Sequence, residues 1–214
     1  MTRQILISDA IESELHKKFL WRDEIIELFK TNPRANCYAA TLDIDDIYFG
    51  RWRQLLVDKK ERRGEVALIV KDSKERILLH TKPFYPEGVV RIPTGGIHAD
   101  EAVLDGMKRE LYEETGFQPL AYNFHALLLY EFKNKNRELS FPSYIFSIKP
   151  DSESPEPADE SEQISGFFWT TVAELSNVND RLHALNTSRW GAWGKVRVIP
   201  HEIFLGKVIR DTDA

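Results

Sequence analysis

Cysteine is nearly absent: the 214-residue chain carries one, Cys37. A single thiol excludes an intramolecular disulfide and a cysteine-based zinc site, so a reducing, cytoplasmic setting is the expected one. Long apolar runs are missing as well. No stretch approaches the roughly 18 uncharged apolar residues that a membrane span requires, so no membrane partner is expected. The opening "MTRQILISDAIESELHKKF" is charged early and has no uninterrupted apolar segment, so no signal peptide is expected. Nor is there an excess of positive charge. The formal net charge is −5, which argues against gripping duplex DNA or RNA along its phosphates. Neither flank reads as a basic recognition helix, so no nucleic-acid partner is expected. Small phosphorylated ligands stay open, held by a few local cations or by metal ions that acidic groups recruit.

The composition, 42% hydrophobic and 29% charged, fits a globular protein with a sizeable core. Two regions differ in texture. Residues 1–63 form an N-terminal extension with helical periodicity, where Leu15, Phe19, Ile26 and Phe29 sit among charged neighbours and Asp9 could cap. Its apolar faces suit packing or dimerisation and leave a homodimer open. The charged "DKKERRGE" (58–65) reads as a connector into the second region, 64–214. There "VALIV" (66–70) and "RILLHTK" (76–82) flank a turn and predict a hairpin. "GVVRIPTGGI" (88–97) predicts a short strand ending at Pro93, and helical spacing follows from about 101 to 115, stopped by Gly116. "HALLLYEF" (125–132) and "SYIFSI" (143–148) predict another hairpin. "PDSESPEPADESE" (150–162) is Pro-, Ser- and acid-rich and reads as an exposed loop. After it come a strand in "ISGFFW" (164–169), a helix around "TVAELSNV", and a Trp-bearing segment ending in an apolar helix or strand. Without regular βαβ alternation, an α+β or sandwich-like layered domain is the expected class.

The helix at 101–115 is unusual in its acids. At about 100° per residue, Glu110, Glu113 and Glu114 fall within one arc of roughly 100°. Gly106, one turn earlier on that arc, leaves room above Glu110, while Leu104, Met107 and Leu111 form an adjacent apolar stripe. A solvated acidic face is the bland explanation. Against it, Glu110 and Glu114 have no Lys or Arg three or four residues away; only Glu113 has one, Arg109. Two carboxylates ~5 Å apart at an effective dielectric of ~20 repel by roughly 3 kcal/mol, so a partly buried cluster needs a cation. Mg²⁺ or Mn²⁺ suits hard oxygen ligands and leaves coordination sites for water and phosphate. The bend "PTGG" (93–96) brings backbone close to the helix start, where a backbone carbonyl could complete the oxygen shell. Arg109 is placed to hold a neighbouring carboxylate. Glu101 reads equally as its partner and as a first-turn acid favouring the helix dipole.

The spacing is that of a known signature: Gly95, five residues, Glu101, seven residues, then Arg109, Glu110, Leu111, any residue, Glu113, Glu114, any residue, Gly116 and Phe117. In this the chain resembles the Nudix hydrolases, and the surrounding pattern extends the likeness over about 65–175, with residues 1–63 and roughly 180–214 outside it. Thr94 departs from the Gly or Ala that many members carry there, and its backbone carbonyl stays available as the metal ligand the resemblance implies. The resemblance implies an α/β/α sandwich with a mixed sheet. It also implies metal-dependent hydrolysis of a phosphoanhydride in a nucleoside diphosphate derivative such as ADP-ribose, a nucleotide sugar or a nucleoside triphosphate. By resemblance Glu110, Glu113 and Glu114 are metal ligands, Arg109 orients them, and Glu101 supports or adds a ligand.

The resemblance also implies a general base in the loop before the late strand, as in several members of that family; here that loop is "ADESEQ" (158–163), with Glu160 and Glu162 the candidates and a merely acidic loop the alternative. Arg91 and Lys82 are candidates for substrate phosphate, although ordinary surface charge explains each alone. Trp169, Trp190 and Trp193 could stack a base, Trp169 being more core-like. His80, His98 and His125 are isolated and receive no role. Two other functions remain open here: a Nudix-fold module that senses a nucleotide without cleaving it, and isomerase chemistry on a diphosphate substrate. The intact acid set favours hydrolysis over the first. Cys37, in the unmatched extension, disfavours the second.

Overall fold

The computed structural model describes residues 2–5 and 21–207. In chain order the elements are β1 (Thr2–Ile5), α1 (Arg22–Thr31), β2 (Asn36–Asp43), α2 (Asp46–Arg53, continued by a π-helical turn Gln54–Asp58), β3 (Arg62–Val70), β4 (Ile77–Thr81) and β5 (Thr94–His98). Then follow α3 (Val103–Thr115), β6 (Pro119–Asn134), β7 (Arg137–Pro150), a 3₁₀ turn Glu160–Glu162, β8 (Gly166–Thr170), α4 (Leu175–His183) and α5 (Gly191–Phe204). The expected cap Asp9 and the positions Leu15 and Phe19 lie outside the described residues. Among the described residues no helix is long and apolar enough to cross a membrane.

The main sheet has six strands in the order β1-β2-β6-β7-β3-β5, and β4 pairs with β8 in a separate two-stranded sheet. The main sheet is mixed: β2 and β6 run parallel, as do β3 and β7, while β6 and β7 form the long antiparallel hairpin that the sequence predicts. Its central strands are buried on both faces, so β3 reads as one apolar run instead of an alternation. Val66, Leu68 and Val70 point to a core formed with Ile25, Phe29, Met107 and Leu111 from α1 and α3. Ala67 and Ile69 point to the other face, packed by Trp52 of α2, Leu182 of α4 and Val196 of α5. Helices therefore cover both faces of a mixed sheet, the α/β/α sandwich expected. The N-terminal region carries helices, as expected, and in addition β2 pairs along its length with β6.

Two local expectations are corrected. The hairpin over 66–82 does not form: β3 gives one edge to β7 and the other to β5, and a strand has only two. After a single bridge, Lys71 to Ile77, the buried "ILLHT" completes its hydrogen bonding against β8 instead. The strand expected at 88–93 is displaced. Pro93 has no N–H to give a ladder, and the strand proper starts at Thr94, opposite Ala67. Residues 88–92 pair as strand only through the bridge between Arg91 and His80.

Candidate active site

Helix α3 is fixed at both ends by other segments. At its start the cap residue Ala102 has no side-chain acceptor. Glu24 of α1 supplies one by accepting from the Val103 N–H. The second Glu24 oxygen pairs with Arg63 at 2.8 Å, and Arg63 Nε donates to the Glu101 carbonyl, tying the N-terminal region to the helix entrance. At its end Gly116 adopts the left-handed conformation (φ 73°) that favours glycine. The acid-rich loop then docks on the helix's last carbonyls: Glu156 N–H donates to Thr115 O and Ala158 N–H to Glu113 O. Loop 150–162 is thus anchored where it leaves the helix, and Glu162 is carried toward the acidic face.

On that face Arg109 is the hub. Its Nε and Nη2 donate to the two oxygens of Glu101, each at 2.7 Å. Its Nη1 donates to Glu110 at 2.9 Å and Glu113 at 2.8 Å, and Nη2 also donates to the Gly96 carbonyl at 2.7 Å. Of the two sequence readings of Glu101, the structure shows the Arg109 partner. Space over Gly106 is taken by Glu101, whose Oε2 lies 3.0 Å from where a Cβ would sit, so the room expected above Glu110 serves Glu101 instead. Gly95 is needed for close approach: a Cβ there would fall 1.7 Å from Glu110 Oε2.

Glu110 and Glu114 are both buried. Burial raises the Glu110 pKa, opposed by Arg109, with the Glu162 and Glu113 charges adding to the rise. Burial pushes Glu114 up to about 8, against the pull of Arg91 and Lys82. Glu114 Oε1 stands 3.8 Å from both Lys82 Nζ and Arg91 Nη2, and its Oε2 is buried with no hydrogen-bond partner. Glu101, held by Arg109, moves the other way, its pKa lowered.

The acidic face borders a cleft of about 580 Å³ whose lining includes Lys82, Arg91, Thr94, Glu110 and Glu162. Lys82 bridges Glu162 at 2.8 Å. Arg91 donates to the Tyr85 hydroxyl and to Thr94 Oγ1, both at 2.8 Å. The sequence candidates Glu110, Glu114, Glu162, Lys82, Arg91 and Thr94 thus converge. Glu113 stands to one side on Arg109, and Glu160, at the start of the 3₁₀ turn, is not among the lining residues. Trp190 and Trp193 line the far wall, whereas Trp169 packs against the core.

Sequence reasoning missed contributors of two kinds. Arg51 and Arg62 line the cleft from the N-terminal side, as does Arg189 from the C-terminal side. The alternation of Arg and Trp in "SRWGAWGKVR" was the available signal for Arg189. His201 is of the second kind, a support behind the wall. Buried and neutral, its pKa pushed down to about 3 by burial and nearby arginines, it accepts from the Ile92 N–H and pairs with Asn179 Oδ1. It thereby pins the segment that carries Arg91 and Thr94.

A divalent cation fits this donor set. Among the described residues no three His, Cys, Asp or Glu side chains stand as a ready cage. Mg²⁺, however, usually takes one or two carboxylates and fills its remaining positions with water and phosphate. Two buried carboxylates beside each other, one with an orphaned oxygen, supply that.

A mixed sheet between helices and a Gly95–Phe117 strand–loop–helix segment, in which Arg109 gathers Glu101, Glu110 and Glu113 beside buried Glu114, define a Nudix-type domain. The family model for the NUDIX domain matches residues 61–192, and the chain belongs to that family. It is 25% identical over 140 residues to the NAD-capped RNA hydrolase NudC of Photobacterium profundum, an alignment covering 65% of this chain and 49% of that protein. The chain therefore matches about half the length of that curated relative. Among solved structures it is similar to a NUDIX hydrolase from Nitrosomonas europaea (18% identity, 70% of this chain and 92% of that one, TM-score 0.45). It is also similar to the NUDIX domain of Shewanella oneidensis NrtR, solved with ADP ribose (16% identity, 53% and 75%, TM-score 0.41).

Proposed function

We propose that this chain is a metal-dependent hydrolase that cleaves a phosphoanhydride bond in a nucleoside diphosphate derivative or nucleotide. The observation that carries the reading is Glu114: a carboxylate sealed beside the cleft, next to a second buried carboxylate, with one oxygen left unpartnered. A buried carboxyl without a full set of partners is held protonated, and a bound cation is what would let it ionise in place. Glu110 and Glu114 would hold Mg²⁺ or Mn²⁺, with Glu113 close behind and the backbone at Thr94 as a further oxygen. When bound, such an ion neutralises the diphosphate and makes water acidic near neutral pH.

The chain's own groups do the rest. Arg109 fixes the rotamers of Glu101, Glu110 and Glu113 at once, so the acidic face is organised before substrate arrives. Lys82 and Arg91 face the cleft as donors to phosphate oxygens. Glu162, at the cleft edge, accepts the proton of the attacking water as its oxygen bonds to phosphorus; the bridging P–O bond breaks and the leaving phosphate departs. Of the two candidate bases, placement favours Glu162 over Glu160. Similarity to a protein named for hydrolysing NAD-capped RNA supports a nucleotide-linked substrate.

The test is a panel of ADP-ribose, nucleotide sugars, dinucleotides and nucleoside triphosphates, assayed for released phosphate or monophosphate with and without Mg²⁺ or Mn²⁺. Metal-dependent cleavage of at least one compound, lost in Glu114→Gln with the fold intact, is the expected outcome. Undiminished turnover in that variant rejects the assignment.

A further inference from the structure

The cations of the cleft are not equally employed. Lys82 answers Glu162 and Glu114, and Arg91 answers Glu114. Arg51, Arg62 and Arg189 line the same cleft and have no carboxylate partner among the described residues. Arg62 is half-buried and Arg51 and Arg189 are exposed, and two of the three are braced by a neighbour. Arg62 lies flat against Gly96, so close that a Cβ there would fall 2.4 Å from its Nε. Arg189 sits 4.8 Å over the Trp190 ring. Arg51 projects from α2, the helix that precedes the domain's first central strand.

Beside them the aromatic wall is continuous. Tyr85 meets Trp193 at 4.9 Å and Trp190 at 5.9 Å between ring centroids, and the two tryptophans meet edge to face at 5.2 Å. Trp190 is only half-buried. The Tyr85 hydroxyl accepts from Arg91 at 2.8 Å, so this wall joins directly to the group that faces Glu114.

These three guanidiniums exceed what a diphosphate bridge requires. That bridge already faces Lys82, Arg91 and, on the reading above, a divalent cation. Arginine's planar fork is the side chain best matched to phosphate oxygens. We infer that the cleft selects a substrate with a flat base against Tyr85, Trp190 and Trp193 and a further phosphate, beyond the bridge that is cut, held by Arg51, Arg62 and Arg189. The inference rests on the hydrolase reading and specifies its substrate class. The extra phosphate has two sources, further units in a polyphosphate chain or a phosphate on the ribose, and matched pairs separate them.

Diadenosine tetraphosphate against diadenosine diphosphate adds chain phosphates, and coenzyme A against 3′-dephospho-coenzyme A adds a ribose phosphate. Binding is followed without metal by tryptophan fluorescence, and turnover with Mn²⁺ by released nucleotide. In the wild type one pair favours its more phosphorylated member by about tenfold or more in both readouts. The pair that does so names the source. In the double variant Arg51→Gln, Arg189→Gln that preference falls at least about fivefold, and Arg51→Lys retains part of it, since charge persists without the fork. Thermal melting of each variant establishes that it is folded; if the double variant does not fold, Arg51→Lys and the wild-type salt dependence carry the test, the preference shrinking as salt rises.

If ADP-ribose is cleaved but both pairs score near one, the inference is overturned and the hydrolase reading stands. A preference indifferent to the arginine changes also overturns it. If no compound in the panel is bound or cleaved, the hydrolase reading fails and takes the inference with it.

Discussion

Replacing Glu114 by Gln should make the metal-free protein more stable at alkaline pH, an unusual result for a residue placed at the heart of the site. In the fold the carboxyl keeps its proton up to a pH of about 8, whereas an unburied glutamate releases it near 4.5. Between those values the folded state binds a proton that the unfolded state does not. Stability is therefore fully present below the lower value and is lost as pH rises toward the upper one, by roughly 1.4 kcal/mol per pH unit. Over the whole window the ceiling is about 5 kcal/mol, from the rise of 4.5 to about 8. For a chain of this size each kcal/mol moves the melting temperature by about 2–4 °C, so an effect of about half the ceiling is a gap of ~5–10 °C. Gln has the same shape and no charge, so it escapes the penalty. Glu110 is raised and Glu101 lowered, but both are present in each protein and largely cancel in the difference. The assay is thermal melting of wild type and Glu114→Gln in chelator, from about pH 5 to about pH 8.5. The variant's advantage should grow across that range, and millimolar Mg²⁺ should stabilise the wild type and narrow the gap. A difference that does not change with pH would refute the claim that an uncompensated carboxyl is buried here.

Other outcomes follow from the same contacts. Arg109→Ala frees Glu101, Glu110 and Glu113 together and should lower kcat about 10–100-fold, as loss of ligand-orienting partners typically does, measured by steady-state hydrolysis with Mn²⁺. Gly95→Ala forces Glu110 from its place and should weaken Mn²⁺ binding about tenfold or more by calorimetry, with circular dichroism unchanged. Glu24→Ala removes the cap of α3 and strands buried Arg63, at a cost of about 3 kcal/mol, read as a drop of ~6–12 °C in melting temperature.

The site was more legible in the sequence than the path of the chain around it. Helical spacing placed Glu110 and Glu114 side by side and Arg109 among the carboxylates because those relations are local, within four residues. Gly116 was readable for the same reason, since it answers a backbone demand at the helix end, whereas the bend expected at "PTGG" is strand from Thr94 onward and what requires glycine at 95 is the distant Glu110 side chain. The 66–82 hairpin misled because "VALIV" and "RILLH" look alike locally, and only the competition for strand edges separates them. Arg51, Arg62 and Arg189 come together from distant elements. Glu24, the cap of α3, lies 79 positions from the residue it serves, which no local pattern encodes.

Manganese binding to the purified chain, followed by electron paramagnetic resonance, bears most directly on the central claim. Wild-type protein should sequester Mn²⁺, and Glu110→Gln and Glu114→Gln, each folded by circular dichroism, should lose that binding. Equal sequestration by all three proteins would contradict the account, because the cation would then be held elsewhere than by the buried glutamate pair.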